Sequence, residues 1–140
     1  MAARREGGVW VNDAGEPATI AVNADGTSIL ASTVTTLHGK TLAFATVNLT
    51  ATGTVVSLTG GQSIYVYALR LVSQSTGMAV NWRSGGSTAL DAAETYDAHE
   101  GYVESVTPPG YLFKTASGES LDLVISGTGT VRGRVSYWKE

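Results

Sequence analysis

The last third of the chain alternates apolar and polar residues on both sides of a glycine-rich turn at residues 127–130. The positions that share one face by this alternation are Leu121, Leu123, Ile125, Val131, Val135 and Tyr137. Arg132, Arg134 and Ser136 fall on the opposite face. Period-two alternation is typical of β-strands that bury one face, and a short glycine-containing turn between two such strands predicts a β-hairpin.

Similar short apolar runs, separated by turn residues, continue through the rest of the sequence. The strongest run, residues 64–72, is apolar on both faces and therefore needs cover on both. Helical patterns are nearly absent, and residues 85–100 are predicted to form a long loop. About eight to ten short strands at this spacing favour an all-β fold, a jelly-roll-like antiparallel β-sandwich.

The composition changes near residue 40. Before this point the sequence is simple and rich in alanine, threonine and asparagine, whereas aromatic and large aliphatic residues concentrate after it. We predict an N-terminal arm or β extension over residues 1–39 and a jelly-roll body over residues 40–140. The short strands of the arm cannot bury their own faces, so the arm is expected to need a partner surface.

Charge and cysteine content exclude several classes of protein. The 140 residues include no cysteine, carry a net charge of −3 and are only 15% charged. Disulfides, cysteine zinc sites and thiol nucleophiles are thereby excluded. The acidic balance disfavours nucleic acid as a partner, and the apolar runs are far shorter than a membrane span. A surface so poor in charge favours cover by other chains.

No residue pattern indicates catalysis, a cofactor or a metal. The cluster Glu94, Asp97, His99 and Glu100 has ligand-type side chains, but its spacing matches no metal motif and a solvated loop has the same pattern. No helix follows the glycine-rich stretch 127–133, so it lacks the helix N-terminus that receives phosphate. Both histidines lie outside predicted strands, whereas a jelly-roll enzyme needs histidine and carboxylates on inward strand faces. We therefore predict a protein that is not an enzyme.

Four segments of the second half resemble small virion proteins of tailed bacteriophages. They are residues 67–73, 80–85, 109–121 and 131–137. The recurring feature is an aromatic or apolar pair, followed by threonine, then by Gly-Glu-x-Leu, and then by a final hairpin that contains several glycines. The resemblance implies a jelly-roll body, a homotrimer, and a place on the capsid exterior as a decoration (cement) protein or in a spike or fibre.

From the resemblance we expect a capsid decoration protein that is made in the host cytoplasm and located on the virion surface. It would bind the outer surface of the major capsid protein and stabilise the head. The expected attachment and interface residues lie in the arm and are Val9, Trp10, Val11, Ile20 and Val22. Short apolar strands of this kind can add to the edge of a sheet in a partner.

The alternative function is the host-recognition head of a phage fibre or spike that binds surface glycans. Its expected binding residues are Tyr96, His99 and Tyr102, because aromatic residues that flank a loop are available to stack on a ligand. Arg132 and Arg134 share one strand face and have two interpretations. They either bind an acidic partner or are solvated charges that protect the terminal strands.

Overall fold

The structure is a computed structural model that describes Arg4–Glu6, Val9–Val11 and residues 36–140. The chain divides into two compact units, Met1–Thr33 and Val34–Glu140, which are treated separately below. In the first unit, strand β1 (Arg4–Glu6) pairs antiparallel with strand β2 (Val9–Val11). Of the predicted attachment residues, Ile20 and Val22 lie outside the described residues.

The second unit begins with a small hairpin. Strand β3 (Thr36–Leu37) pairs with β4 (Lys40–Thr41), and the two-residue turn between them has positive φ at His38 (50°) and Gly39 (74°). Positive φ at both central residues is the geometry of a tight type I′ hairpin turn. The predicted start of the body, residue 40, lies at the end of this turn and stays a prediction.

Ten further strands complete the second unit. They are β5 (Ala43–Leu49), β6 (Gly53–Val56), β7 (Ile64–Ser73), β8 (Met78–Ser84), β9 (Thr88–Ala89), β10 (Glu94–Tyr96), β11 (Gly101–Ser105), β12 (Phe113–Lys114), β13 (Leu121–Ser126) and β14 (Val131–Lys139). The described part of the chain has no helix, and thus none that is long and apolar enough to cross a membrane.

Eight of these strands form a jelly roll. Sheet I has the order β11–β7–β14–β5, and sheet II has the order β10–β8–β13–β6. The pairs are nested in chain order: β5 pairs with β14, β6 with β13, β7 with β11 and β8 with β10. A long antiparallel hairpin has been wrapped into two sheets, which is how a jelly roll is built. The predicted all-β, jelly-roll-like sandwich is confirmed.

The core lies between the two sheets and is made of the inward-facing residues of their strands, with one break in the alternation of β7 where the β14–β7 register shifts. In β7, Ile64, Val66, Leu69 and Leu71 are buried on one side of the strand. In β13, Leu121 and Leu123 are fully buried. The inward positions predicted for Leu121, Leu123, Ile125, Val131 and Val135 are therefore correct, and Tyr137 packs half-buried against the same core. Trp82 on β8 is the largest side chain of this core and is 0% exposed.

The predicted terminal hairpin is wrong, although both of its strands exist. Strand β13 pairs with β6 and β8 in sheet II, whereas β14 pairs with β5 and β7 in sheet I. The turn at residues 127–130 therefore carries the chain from one sheet to the other. Alternation shows which face of a strand is buried, but it does not identify the neighbouring strand, because both sheets bury the same core.

The predicted loop at residues 85–100 also contains two strands that the sequence pattern did not reveal. Strands β9 and β10 both pair with β8, and β10 forms one edge of sheet II. Their residues are mostly exposed, so the apolar alternation that marks the longer strands is missing here.

Candidate functional site

The outer face of sheet I carries three arginines, which we call the arginine face: Arg70, Arg132 and Arg134. Arg70 is exposed between two buried leucines of β7. Arg132 and Arg134 are exposed positions of β14 that alternate with its buried valines. The period-two geometry of the strands therefore places all three guanidinium groups on the side away from the core.

The strand register brings these arginines close together. Arg134 lies directly opposite Arg70 across the β14–β7 ladder, and Arg132 is two residues along the same strand. Side chains directly opposite in an antiparallel pair have Cβ atoms about 5 Å apart, and like charges at such positions are destabilising. None of the three forms an ion pair with a residue that the structure describes.

Two exposed apolar side chains flank the arginine face. Phe44 on β5 is 65% exposed and Val103 on β11 is 72% exposed. The Arg134 guanidinium lies over the Phe44 ring, 5.4 Å from its centroid. Together these strands line an open groove of about 850 Å³. Groups of this kind, a planar cation beside exposed apolar surface, are enriched where proteins bind other proteins.

The same outer face of sheet I has an aromatic cluster at its other end, formed by Tyr65, Tyr67, Tyr111 and Trp138. Trp138 is 2% exposed but lies outside the central core. Its ring stacks on Tyr65 at 5.2 Å and on Tyr67 at 6.0 Å, while Tyr111 meets it edge-on. Its indole Nε1 donates no hydrogen bond within the described residues. This cluster covers the Tyr65 and Tyr67 end of the outer side of β7, whereas the outer side at Arg70 stays open.

The residues predicted for glycan binding lie where sheets I and II meet, at strands β10 and β11. The rings of Tyr96 and Tyr102 stack on each other with centroids 5.7 Å apart. Both hydroxyls already have partners: Tyr96 donates to Glu94 Oε2 at 2.5 Å, and Tyr102 accepts from Trp82 Nε1 at 3.0 Å. Burial raises the pKa of both tyrosines well above the usual range.

His99 lies in the tight turn between β10 and β11. Its φ is 67°, and its backbone N–H donates to the carbonyl of Ser73 at 2.8 Å. The imidazole is exposed and makes no hydrogen bond to a described residue. The structure thus brings Tyr96 and Tyr102 into contact, and His99 enters no shared side-chain network with them.

A smaller cavity of about 200 Å³ adjoins Tyr102 and contains a carboxylate that the sequence did not single out. Asp91 accepts hydrogen bonds from the Trp82 backbone N–H at 2.7 Å and from Asn81 Nδ2 at 2.9 Å. Burial raises its pKa from 3.8 to about 6, because the desolvation outweighs these two bonds. No sequence pattern marks Asp91, since its partners are nine and ten residues away and come together only in the fold.

The carboxylates at this edge do not assemble into a metal centre. Within the described residues, no group of three or more potential ligands is placed to hold a metal ion. Glu94 accepts from Tyr96, and Glu100 Oε2 accepts from the backbone N–H of Asp97 at 2.9 Å. These contacts fix the turn rather than a shared ligand position.

The predicted attachment residues Val9, Trp10 and Val11 form β2 of the first unit. The strand register pairs Trp10 with Arg5 and Val11 with Arg4. The short strand predicted at residues 9–11 is therefore present, and its role in attachment stays a prediction.

The chain matches no protein family, no curated protein and no solved structure in comparisons with known proteins. The resemblance to phage virion proteins therefore remains a hypothesis based on the sequence segments described above.

Proposed function

We propose that this chain is a non-enzymatic structural protein of a bacteriophage virion. It acts as a capsid decoration protein, a homotrimer that binds the outer surface of the major capsid protein and stabilises the head. The observation that carries the proposal is the outer face of sheet I, where exposed Phe44 and Val103 lie beside three arginines. A jelly roll with an uncovered binding face suits a protein that works by joining subunits, and jelly rolls recur among viral capsid proteins.

The N-terminal residues supply the attachment device in this proposal. Strand β2 presents a Val-Trp-Val sequence, and strands this short need further pairing to be stable in water. Addition to a sheet edge of the capsid subunit would provide backbone hydrogen bonds and cover for Trp10. The body then remains available for contacts between copies.

Binding to capsids that lack the chain tests this function. The full chain should bind such shells saturably, with a copy number comparable to that of the major capsid protein, and should raise their melting temperature. A copy number of only a few per particle would contradict head decoration and favour a fibre or spike.

Removal of the first unit, Met1–Thr33, which holds most of the predicted arm, tests the attachment device. A chain that starts at Val34 should unfold cooperatively yet fail to bind capsids, and replacing Val9, Trp10 and Val11 by serine in the full chain should have the same effect. Normal capsid binding by the shortened chain would place the attachment surface on the jelly roll. Failure of the shortened chain to fold would show that the arm belongs to the body.

Glycan recognition remains the second candidate because Tyr102, Asp91, Glu94 and Glu104 combine an aromatic ring with hydrogen-bond acceptors around one cavity. Its volume of about 200 Å³ lies below the roughly 300 Å³ at which ligand pockets usually begin. The tyrosine hydroxyls are also already engaged. A glycan array probed with the full chain distinguishes the two functions, since selective binding that is lost in Tyr102→Ala would favour the spike.

A further inference from the structure

We infer that copies of this chain associate head to tail, with the arginine face of one copy bound to the acidic edge of the next. The acidic edge comprises Glu94, Asp97, Glu100 and Glu104, which are exposed on β10, on β11 and on the turn between them. The inference rests on the homo-oligomer of the proposed function and names the surfaces that form it.

The acidic edge is a continuous region of one sign. Residues 91–104 contain five carboxylates and no lysine or arginine. Two of the exposed carboxylates have local hydrogen bonds, whereas those of Asp97 and Glu104 have none with a described residue. Three cations therefore lie on one surface and four anions along the neighbouring edge, where Glu104 also borders the arginine groove, and no ion pair neutralises either set within the described part.

The arginine face is incomplete without an anionic partner. Arg70 and Arg134 repel each other across the ladder, and this cost disappears when carboxylates bind between them. The groove of about 850 Å³ has room for the compact turn at residues 97–100, which a backbone hydrogen bond from Glu100 to Asp97 closes at 3.1 Å. Phe44 and Val103 supply apolar contact around the charges.

The positions of the two surfaces favour a closed ring. The arginine face is the flat side of sheet I, and the acidic edge is the side of the sandwich where β10 and β11 are the outermost strands. These surfaces are adjacent rather than opposite, so successive copies turn relative to one another. A contact between two different surfaces closes into a ring when the rotation permits it, and otherwise continues as a filament.

A second copy fits this groove better than a polyanion such as nucleic acid does. Glu104 lines the same groove, and the whole acidic edge adjoins it through β11. A long polyanion would run past all of these carboxylates, whereas the compact acidic turn of another copy brings only a few carboxylates into the groove. The net charge of −3 adds to the repulsion of a polyanion.

Charge reversal and charge exchange test the inference on the full chain by sedimentation velocity. Arg132→Glu with Arg134→Glu should weaken self-association at least about tenfold, and Glu94→Lys with Asp97→Lys, at two exposed positions outside the groove, should do the same. The variant with all four substitutions removes the like-charge repulsion that the arginine reversal creates and should therefore associate more strongly than that variant. Raising salt from 0.1 M to 1 M shortens the screening length from about 10 Å to about 3 Å and should dissociate the wild type.

The matched control is Lys114→Glu with Lys139→Glu, which changes the net charge equally but lies outside the arginine face. It should leave self-association unchanged. A monomeric wild type at 0.1 M salt would overturn the inference, and so would an oligomer that stays intact in both charge-reversal variants. A fourfold variant that associates no better than the arginine reversal alone would do so as well. Binding of a short DNA duplex through the same arginines by a monomeric chain would identify a polyanion as the partner instead. A monomeric wild type would also contradict the homotrimer of the proposed function, whereas capsid attachment is judged separately by the capsid-binding assay.

Discussion

The two faces of sheet I are built from the same strands but differ in burial and in residue type. The inner face of β7 and β14 is closed by residues such as Leu71 and Val135, which are 1% and 0% exposed. The outer face of the same strands carries Arg70, Arg132 and Arg134 in open solvent. Because alternate residues point to opposite sides, one strand encodes both a core and a binding surface.

This difference separates stability from recognition. Substitutions on the inner face remove buried apolar contacts and are expected to change the free energy of unfolding. Substitutions on the outer face remove groups already in contact with water, so they are expected to alter association far more than folding. Unfolding measurements on matched inner and outer variants decide whether this separation holds.

The largest effect is expected for Trp82→Ala. The side chain is fully buried between the sheets, and its Nε1 donates to the Tyr102 hydroxyl at 3.0 Å. Truncating a buried tryptophan leaves a large cavity, so the free energy of unfolding should fall by about 3–5 kcal/mol. Urea unfolding monitored by circular dichroism measures this loss. A loss below about 1 kcal/mol would mean that the space between the sheets is not the packed core described here.

The next effect in size is expected for Thr115→Val. Thr115 is 1% exposed, and its Oγ1 accepts a hydrogen bond from the Ile64 backbone N–H at 3.0 Å. Valine keeps the shape but leaves that buried N–H without its side-chain partner, which costs about 1–3 kcal/mol. Thr54→Val, at an exposed position of β6, is the matched control and should change stability by less than about 0.5 kcal/mol. Equal losses in the two variants would argue against a role for the hydrogen bond.

The fold was more predictable than the site, and the reason is physical. Alternation identified the buried positions of β13 and β14, because a strand that faces a core must place apolar residues at every second position. The pairing of these two strands was mispredicted, since their apolar faces are equally compatible with a hairpin and with a change of sheet. Strand β10 was missed because it is a short, exposed edge strand without alternation.

The candidate site depends on contacts that no local pattern encodes. Arg132 and Arg134 were visible as one strand face, but the addition of Arg70 depends on the register between β14 and β7. Phe44 joins them from β5, far away in sequence. Asp91 acquires its buried environment from Asn81 and Trp82, which only the folded loop brings within hydrogen-bonding distance.

A pH-dependent change in stability is expected from Asp91. This carboxylate is half-buried and so belongs neither to the closed core nor to the open outer face. Its folded-state pKa is raised from 3.8 to about 6, so the folded state binds this proton more tightly than the unfolded state does. The contribution of Asp91 to stability is therefore greatest below about pH 4 and is lost as pH rises towards 6. Asp91→Asn keeps an oxygen acceptor for Trp82 and removes the titration.

Unfolding experiments between pH 4 and pH 7 measure this linkage. Relative to Asp91→Asn, the wild type should lose stability as pH rises through this range. Since about half of the group is exposed to solvent, the change should be well below the value that the full shift implies. A parallel pH dependence in the two proteins would show that Asp91 is not desolvated in the fold.

The smallest effect on stability is expected on the outer face of sheet I, at Phe44. Its ring is 65% exposed and its one described aromatic contact is the Arg134 guanidinium at 5.4 Å. An exposed cation–π pair contributes about 0.5–1 kcal/mol, and little burial is lost with the ring. Phe44→Ala should therefore reduce the free energy of unfolding by no more than about 1 kcal/mol.

A double-mutant cycle with Arg134→Ala isolates the energy of the Phe44–Arg134 pair. The measurements should be made in 1 M salt, where the screening length of about 3 Å keeps self-association from contributing. A coupling above about 2 kcal/mol would make the outer face a structural element like the inner one, because an exposed pair alone cannot supply that energy. A coupling within the expected range leaves Phe44 and Arg134 free to serve recognition, since changing them costs the fold little.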